Sequence, residues 1–443
     1  DGHSSTSVTT AAAGSGAMPA MRSSAFSSTP MPSIAATPYS HQVRRAMRPR
    51  GLRKICAGSI GSAGWWGSGV DTRRCRGWRS GEHKRAGTPR PYHRAVNATA
   101  PGANGDGDLV VVRPQGLYCP AGDFFIDPWR PVERAVVTHA HADHARRGHA
   151  HYLASAAGAG VLRARLGDDI ALQALAWGEG VDHRGVRLSL HPAGHVLGAA
   201  QVRLEHRGRV WVVSGDYFVS AHDETNPTCD AFEPQRCDVF VTECTFGLPL
   251  YRWRPQAEVF ADVNAWWSDN AAAGRASLLL AYSFGKAQRL LAGVDPGIGP
   301  IVVHGAVDAV NAAYRAQGVS LPPTQAAQAL HAADLRRALL VAPPSVRGST
   351  WLQRFAGASE AFASGWMQLR GARRRLALDC GFVLSDHADW PGLQRAIAAT
   401  GAPRVIVTHG HEAAMVRWLR EQGLQAGAFA TEYGDEALGD APA

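Results

Sequence analysis

The hydrophobic positions of this chain change style along its length. From residue 109 they come as short runs: Leu109 to Val112, Phe124 to Ile126, Arg134 to Thr138, Val186 to Leu190, Gln201 to Glu205, Val210 to Val213 and Val239 to Thr242. Gly, Pro or charged turns separate them, which predicts short strands with polar residues at their ends. Gly160 to Trp177 carries apolar residues at helical spacing and predicts a helix. Between residues 250 and 380 the style differs. Phe260 to Ala273 predicts a helix and Ser277 to Ala281 a strand, with a helix from Gly285 through Leu291. Ile301 to Val303 is a strand leading to a helix that ends at Ala316, and Leu339 to Ala342 is one more strand. Strand, glycine turn and helix in series predict βαβ units on a parallel sheet. The final segment returns to the first style, with Val383-Leu384 before Ser385 to Asp389 and Val405 to Thr408 before His409. The pattern predicts an α/β domain inserted into a split αββα-type domain.

Composition bounds this picture. The chain has 443 residues, 45% of them hydrophobic and 19% charged, as in a soluble globular protein of two or three domains. No run of about 18 apolar residues predicts a membrane helix. The net charge of +9 suggests nucleic acid, but its distribution removes that argument. Residues 1–105 hold 15 Lys and Arg against 3 Asp and Glu, so the rest holds 31 against 34. Any nucleic-acid function must therefore rest on a site rather than on net charge. Residues 1–107 form a basic leader rich in Ser, Ala, Gly, Pro and Arg, without periodicity. It reads as disordered or non-native sequence, with an organelle transit peptide as the other reading. Cys56, Cys75, Cys119, Cys229, Cys237, Cys244 and Cys380 form no C-x-x-C pair, which favours a reducing cytoplasm over a disulfide scaffold. Cys237 and Cys244 read as buried small hydrophobes.

The chemistry is concentrated at strand ends. The stretch T-H-A-H-A-D-H, Thr138 to His144, directly follows a predicted strand. Alternate residues leaving a strand point the same way, so His139 and His141 can share one ion. The chain must then turn for Asp143 and His144 to face a second. Imidazoles with a carboxylate suit Zn²⁺ or a similar ion; the other reading is a surface histidine cluster. Three further candidates repeat the setting, each beside a glycine: His195 in P-A-G-H, Asp216 in V-V-S-G-D and His409 in V-T-H-G. His149 and His151 read as structural or helix-surface residues, and His411 as a residue behind the second ion.

This series resembles the metallo-β-lactamase superfamily, in its nucleic-acid-processing β-CASP branch. Within the branch it is similar to the bacterial DNA ligase-associated exonuclease family, also labelled mRNA 3′-end processing factor-like. That likeness rests on Gly116–Pro131 (G-L-Y-C-P-A-G-D-F-F-I-D-P-W-R-P), Thr242–Trp253 (T-E-C-T-F-G-L-P-L-Y-R-W) and Gly285–Leu291 (G-K-A-Q-R-L-L). The resemblance implies an αββα sandwich over 108–249 and 381–435, a β-CASP insert over 250–380, and a tail over 436–443. It implies one zinc on His139, His141 and His195, a second on Asp143, His144 and His409, and Asp216 bridging both, with Mn²⁺ as another metal. Asp127 in F-F-I-D-P-W would support a ligand or the turn; a turn-forming Asp before Pro128 is the other reading. Glu243 would orient His387, which would protonate the leaving oxygen. Asp386 departs from relatives that carry a small residue there.

The function so implied is two-zinc phosphodiester hydrolysis, with a DNA exonuclease acting in repair favoured over an RNA 3′-end nuclease. An ATP-dependent DNA ligase and a helicase are the implied partners, in a bacterial cytoplasm. A small-substrate metallo-hydrolase and a silent scaffold are the rival readings. Lys286, at a helix start, reads as a phosphate contact or as a helix-surface lysine. Ser283 and His304 occupy similar strand ends and are expected along the same cleft. Arg252 and Arg254, interleaved with Tyr251 and Trp253, read as a backbone grip with stacking rings or as a solvated linker.

Overall fold

The computed structural model describes residues 107–433, all within the second of the chain's two structural units, Gly61–Ala443. The leader up to residue 106, Cys56, Cys75 and the tail lie outside the described residues. Three sheets organise the rest.

The first sheet runs in order from β1 (Val111–Arg113) through β2 (Gly116–Cys119), β3 (Phe124–Ile126), β4 (Arg134–Val136) and β5 (His151–Ser155) to β6 (Leu172–Leu175). β1 to β3 are antiparallel, and β3 to β6 are parallel. Helix α1 (Ala159–Leu166) joins β5 to β6. The helix expected over Gly160–Trp177 therefore stops at Leu166. Gly167 has φ 93° and no helical continuation, and Leu172–Leu175 is instead recruited as an edge strand beside β5.

The second sheet holds β7 (Gly180–His183), β8 (Val186–Pro192), β9 (Ala200–His206), β10 (Arg209–Val213) and β11 (Val239–Cys244). After β11 the chain builds a third sheet. Its elements are α2 (Gln256–Ala272), β12 (Ser277–Leu280), α3 (Lys286–Gly293), β13 (Ile301–Val303), α4 (Gly305–Ala316), α5 (Ala332–Leu335), β14 (Leu339–Ala342), α6 (Thr350–Gln353), β15 (Ser359–Ala363), α7 (Arg370–Arg375) and β16 (Cys380–Phe382). All five strands are parallel, in the order β13-β14-β12-β15-β16. Leu279 of β12 packs with α2 and α3, while Leu278 and Leu280 pack on the opposite face. A sheet covered on both faces accounts for apolar runs without alternation.

The chain then returns through α8 (Trp390–Thr400), β17 (Arg404–Gly410), α9 (Glu412–Glu421) and β18 (Gln425–Ala428). β17 pairs in parallel with β11, so the second sheet reads β18-β17-β11-β10-β9-β8-β7. Alternation along its strands sorts two cores. Trp211, Val213 and Ile406 face the first sheet and meet Val136 and Leu153 there. Val212, Val405 and Val407 face outward, with Leu393 and Ile397 of α8 and Met415 and Leu419 of α9. The period-2 rule for strands thus fixes which residues lie between sheets and leaves the strand ends for polar side chains. Among the described residues, no helix is long and apolar enough to cross a membrane.

Candidate metal centre

The loops at one end of the two sheets carry the candidate residues. Thr138 to His144 leave β4; His195 follows β8; Asp216 follows β10; Glu243 lies near the end of β11; His409 lies near the end of β17. Gly194 and Gly215 have φ 79° and 56°. A Cβ on Gly215 would stand 2.7 Å from the Cβ of Thr138, and one on Gly194 would stand 2.7 Å from the carbonyl oxygen of Phe218. Only glycine at 215 lets the Asp216 turn approach Thr138 this closely, and only glycine at 194 fits against Phe218 just before His195.

Three groups of potential ligand atoms lie within 4.8 Å of one another: His139, His141, His195 and Asp216; His144, Asp216 and His409; and Asp216, Glu243 and His387. Asp216 belongs to all three. Its Oδ2 lies 3.4 Å from His139 Nε2, 3.5 Å from His144 Nε2 and 3.8 Å from His195 Nε2, and its Oδ1 lies 3.3 Å from His409 Nε2. Asp143 is the one expected ligand outside these tight groups. Its Oδ2 is 3.6 Å from His144 Nε2, and its side chain is 29% exposed, at the rim.

Outer hydrogen bonds decide which ring nitrogen faces inward. Asp127 has φ 43°, a left-handed conformation whose strain is tolerated where surroundings over-determine it. Its Oδ1 accepts from Thr138 N at 2.7 Å, and its Oδ2 accepts from Thr138 Oγ1 and from His144 Nδ1 at 2.7 Å. Because the Thr138 hydroxyl proton goes to Asp127, its oxygen accepts from His139 Nδ1 at 3.1 Å. The Nδ1 of His195 donates to Asp386 O at 2.8 Å, and the Nε2 of His141 donates to Phe284 O at 3.2 Å. Thr408 Oγ1 gives its proton to Thr242 O and receives His409 Nδ1 at 3.0 Å. Every ring is oriented through its outer nitrogen, as metal-binding histidines are.

The inward atoms fit a cation. His141 Nδ1 lies 2.9 Å from His139 Nε2 and 3.1 Å from His195 Nε2, and one proton cannot bridge both contacts. The buried His144 Nε2 and Asp216 Oδ1 have polar neighbours at 3.3–3.6 Å but no aligned hydrogen bond. Burial pushes His139 well below its ordinary value and His195 down to about 3, so both are neutral and carry a lone pair. Burial also opposes charge on His144, yet Asp216, Asp143 and Asp127 together raise it to about 10. Burial alone would raise Asp216, but His144, His139, His387 and His409 hold it well below the usual carboxylate range. Positive charge is favoured where these carboxylates converge.

Beside this centre, His387 Nδ1 lies 2.9 Å from each Glu243 oxygen. Glu243 also accepts from Tyr217 N at 2.8 Å and Thr245 Oγ1 at 2.6 Å. The His387 ring lies 4.5 Å from that of His195. The Asp386 carboxylate instead faces Lys286 and Arg289, at 3.3 and 3.2 Å.

The structure places the remaining candidates away from the histidine groups or beside them, and it corrects the surface reading of Lys286. Lys286 is not on a helix surface: it is fully buried against Asp386, and no phosphate could reach it without displacing that partner. Ser283 is half-buried at the end of β12, its carbonyl accepting from Gln288 Nε2. His304 is half-buried and caps α4, accepting from Ala306 N. Tyr251 and Trp253 are buried against Phe246, so they offer no stacking face, while Arg254 pairs with Glu258 and Asp262. Arg252 is exposed and binds Pro249 O. No helix follows the histidine loop. His149 is buried there, its Nδ1 accepting from Val132 N at 3.3 Å, and burial lowers it to about 4. His151 opens β5, 3.8 Å from Glu133, and His411 stacks on Tyr251. Cys119, Cys229 and Cys237 are free thiols; Cys244 is buried and Cys237 only half-buried.

Sequence reasoning missed Thr138, Thr408 and Tyr433. The Tyr433 ring stacks on His144 at 4.6 Å and meets His409 edge-on at 5.6 Å. The threonines precede His139 and His409 directly, a repeated T-H pair that was a usable signal.

No family model matches the chain. It is 32% identical over 317 residues to a protein of Opitutus terrae named "Probable DNA ligase", covering 71% of this chain and 30% of that protein. It is 33% identical over 112 residues to Endoribonuclease ysh-1 of Neurospora crassa, and 31% identical over 117 residues to Cleavage and polyadenylation specificity factor 73 of Drosophila melanogaster. Those matches cover 25% and 26% of this chain, and 13% and 16% of the relatives. The chain thus spans under a third of the length of each. These similarities support the β-CASP branch at the level of family, and they imply a metallo-β-lactamase-type fold for this mixed α/β chain.

Proposed function

We propose that the protein is a nuclease that hydrolyses phosphodiester bonds with two zinc ions, and that DNA is its substrate. The observation that carries this reading is Asp216, whose carboxylate is shared by both histidine groups and by the Glu243–His387 pair. His139, His141 and His195 would hold one ion and Asp143, His144 and His409 the other, with Asp216 between them; Mn²⁺ suits the same donors. Bound there, the ions supply Lewis acidity to the phosphate oxygens and ease ionisation of the attacking water.

The chain's own residues do the rest. Asp127 and Thr138 hold the His139 and His144 rings in place. Glu243 fixes His387 through Nδ1, so the opposite nitrogen, Nε2, is the one that protonates the leaving oxygen. The segment over 250–380 acts as an inserted β-CASP domain that walls the cleft for a polymer. The name of the Opitutus relative points to a DNA ligase as a functional partner; a DNA substrate, an exonuclease mode, a helicase partner and a cytoplasmic location extend the family resemblance. RNA cleavage is the second reading, favoured by the similarity to named endoribonucleases. End-labelled DNA and RNA oligonucleotides, incubated with zinc-loaded protein, test both. Release of mononucleotides from DNA is the expected outcome; cleavage of neither polymer rejects the nuclease reading.

A further inference from the structure

The two histidine groups differ in what orients them. His144 is held by Asp127 and His409 by Thr408, from β3 and β17 of the first two sheets. Two rings of the other group are held from the third sheet and its return link. His141 Nε2 donates to the carbonyl of Phe284, at the turn into α3, and packs against the Phe284 ring at 4.9 Å. His195 Nδ1 donates to the carbonyl of Asp386, just after β16. Tyr314 of α4 adds a third contact, its hydroxyl accepting from Leu197 N two residues beyond His195.

What fixes those two carbonyls is a buried ion cluster. The Asp386 carboxylate lies 3.3 Å from Lys286 Nζ and 3.2 Å from Arg289 NH1, both on α3. Arg289 also donates to Ser385 O at 2.6 Å and to Gln256 Oε1 at 3.1 Å, and it lies 4.4 Å from the Phe218 ring centre. All three charged side chains are at most 2% exposed. Gly285, at φ 87°, lets the start of α3 close onto the His195 loop, since a Cβ there would stand 2.2 Å from Val196 Cγ1. A desolvated ion cluster is weak evidence for stability, but it fixes one arrangement of the elements it joins.

We infer that Lys286 and Arg289 are positioning residues that latch α3 onto Asp386 and thereby set the His139–His141–His195 group, leaving the His144–His409 group independent of the latch. This rests on the proposal that the chain holds two metal ions. Without Lys286, Asp386 keeps its contact with Arg289 but loses the one that ties it to the start of α3, and the carbonyls that hold His195 and His141 lose their fixed spacing.

The test is a titration of metal-free protein with Zn²⁺ against a chromophoric chelator, counting ions and their affinities. Lys286→Met leaves Asp386 compensated by Arg289, so folding is retained. It is expected to bind one ion as wild type does and the other roughly 10- to 100-fold more weakly, the usual effect of losing an outer partner. Thr408→Val is expected to weaken the other ion instead, and the two changes together to weaken both. If Lys286→Met does not fold, the Lys286→Met, Asp386→Asn double variant removes both charges while keeping the carbonyl on His195, and the same selective weakening is expected. Two wild-type affinities in the lysine variant, or equal weakening of both ions, would overturn the latch. A wild-type chain that takes up no ion would bring down the two-metal proposal together with the latch, a result distinct from either.

Discussion

The Glu243 carboxylate meets His387 Nδ1 through both of its oxygens at 2.9 Å, and the same carboxylate is braced by Tyr217 N and Thr245 Oγ1. A ring held at one nitrogen by a fixed anion is set up to move a proton at the other. His387→Ala is expected to lower kcat about 10²- to 10⁴-fold with bound metal unchanged. Glu243→Gln is expected to lower kcat in the same direction, and the double variant to be no slower than His387→Ala alone, because the pair acts as a unit. Additive losses in single-turnover kinetics would separate the two residues.

Asp216 is buried and shared by every group of the centre. Asp216→Ala is expected to abolish cleavage and to bring metal content close to zero, while circular dichroism still reports the folded chain. Retained turnover would remove Asp216 from the bridging position.

Asp127 serves Thr138 and His144 at once, and His139 through the Thr138 hydroxyl. Asp127→Asn keeps the shape but replaces one acceptor oxygen with a donor. Metal affinity is expected to fall roughly 10- to 100-fold. Stability of the metal-free chain is expected to fall by about 1–3 kcal/mol, the usual cost of a buried polar group without a partner. Urea unfolding and zinc competition read the two effects separately.

His149 supplies a pH signature apart from the metal centre. Its folded value lies near 4 because burial disfavours the charged ring, against 6.5 for an ordinary histidine. The unfolded chain therefore binds the proton first as pH falls. The contribution of neutral His149 is complete above pH 6.5 and is lost as pH drops from about 6.5 to about 4, by roughly 3 kcal/mol at most. His149→Asn, whose Oδ1 still accepts from Val132 N, is expected to flatten the stability curve in that window. A curve of unchanged slope, measured by urea unfolding at several pH values, would dismiss the effect.

The residues legible in the sequence share one trait. His139, Asp216 and His409 each lie just past a valine-rich run, and His195, Asp216 and His409 each adjoin a glycine, so strand-end placement could be read from local order. Thr138 and Thr408 could not be ranked that way, since a hydroxyl relay becomes visible only when its two partners are located. The strands His151–Ser155, Ser359–Ala363 and Gln425–Ala428 are rich in small residues and lack β-branched ones. They are strands because flanking strands pair with them, a tertiary effect that propensity does not carry. Lys286 was misplaced for a related reason. Lysine is seldom buried, and its partner Asp386 lies 100 residues later in the chain, after the last strand of the third sheet. In Tyr251 to Arg254 the alternation was real, but it turned the rings inward and the arginines outward.

Strand β11 is paired on one side with β10, made just before it, and on the other with β17; Cys244 Sγ donates to the carbonyl of His409 across a separation of 165 residues. During synthesis, contacts this remote form late, because the chain between must emerge and be ordered first. A nascent chain can complete the first sheet and most of the second while His387 and His409 are still untranslated. Chains that stop before residue 387 therefore lack both His387 and His409, and on the proposed function cleavage requires translation past both.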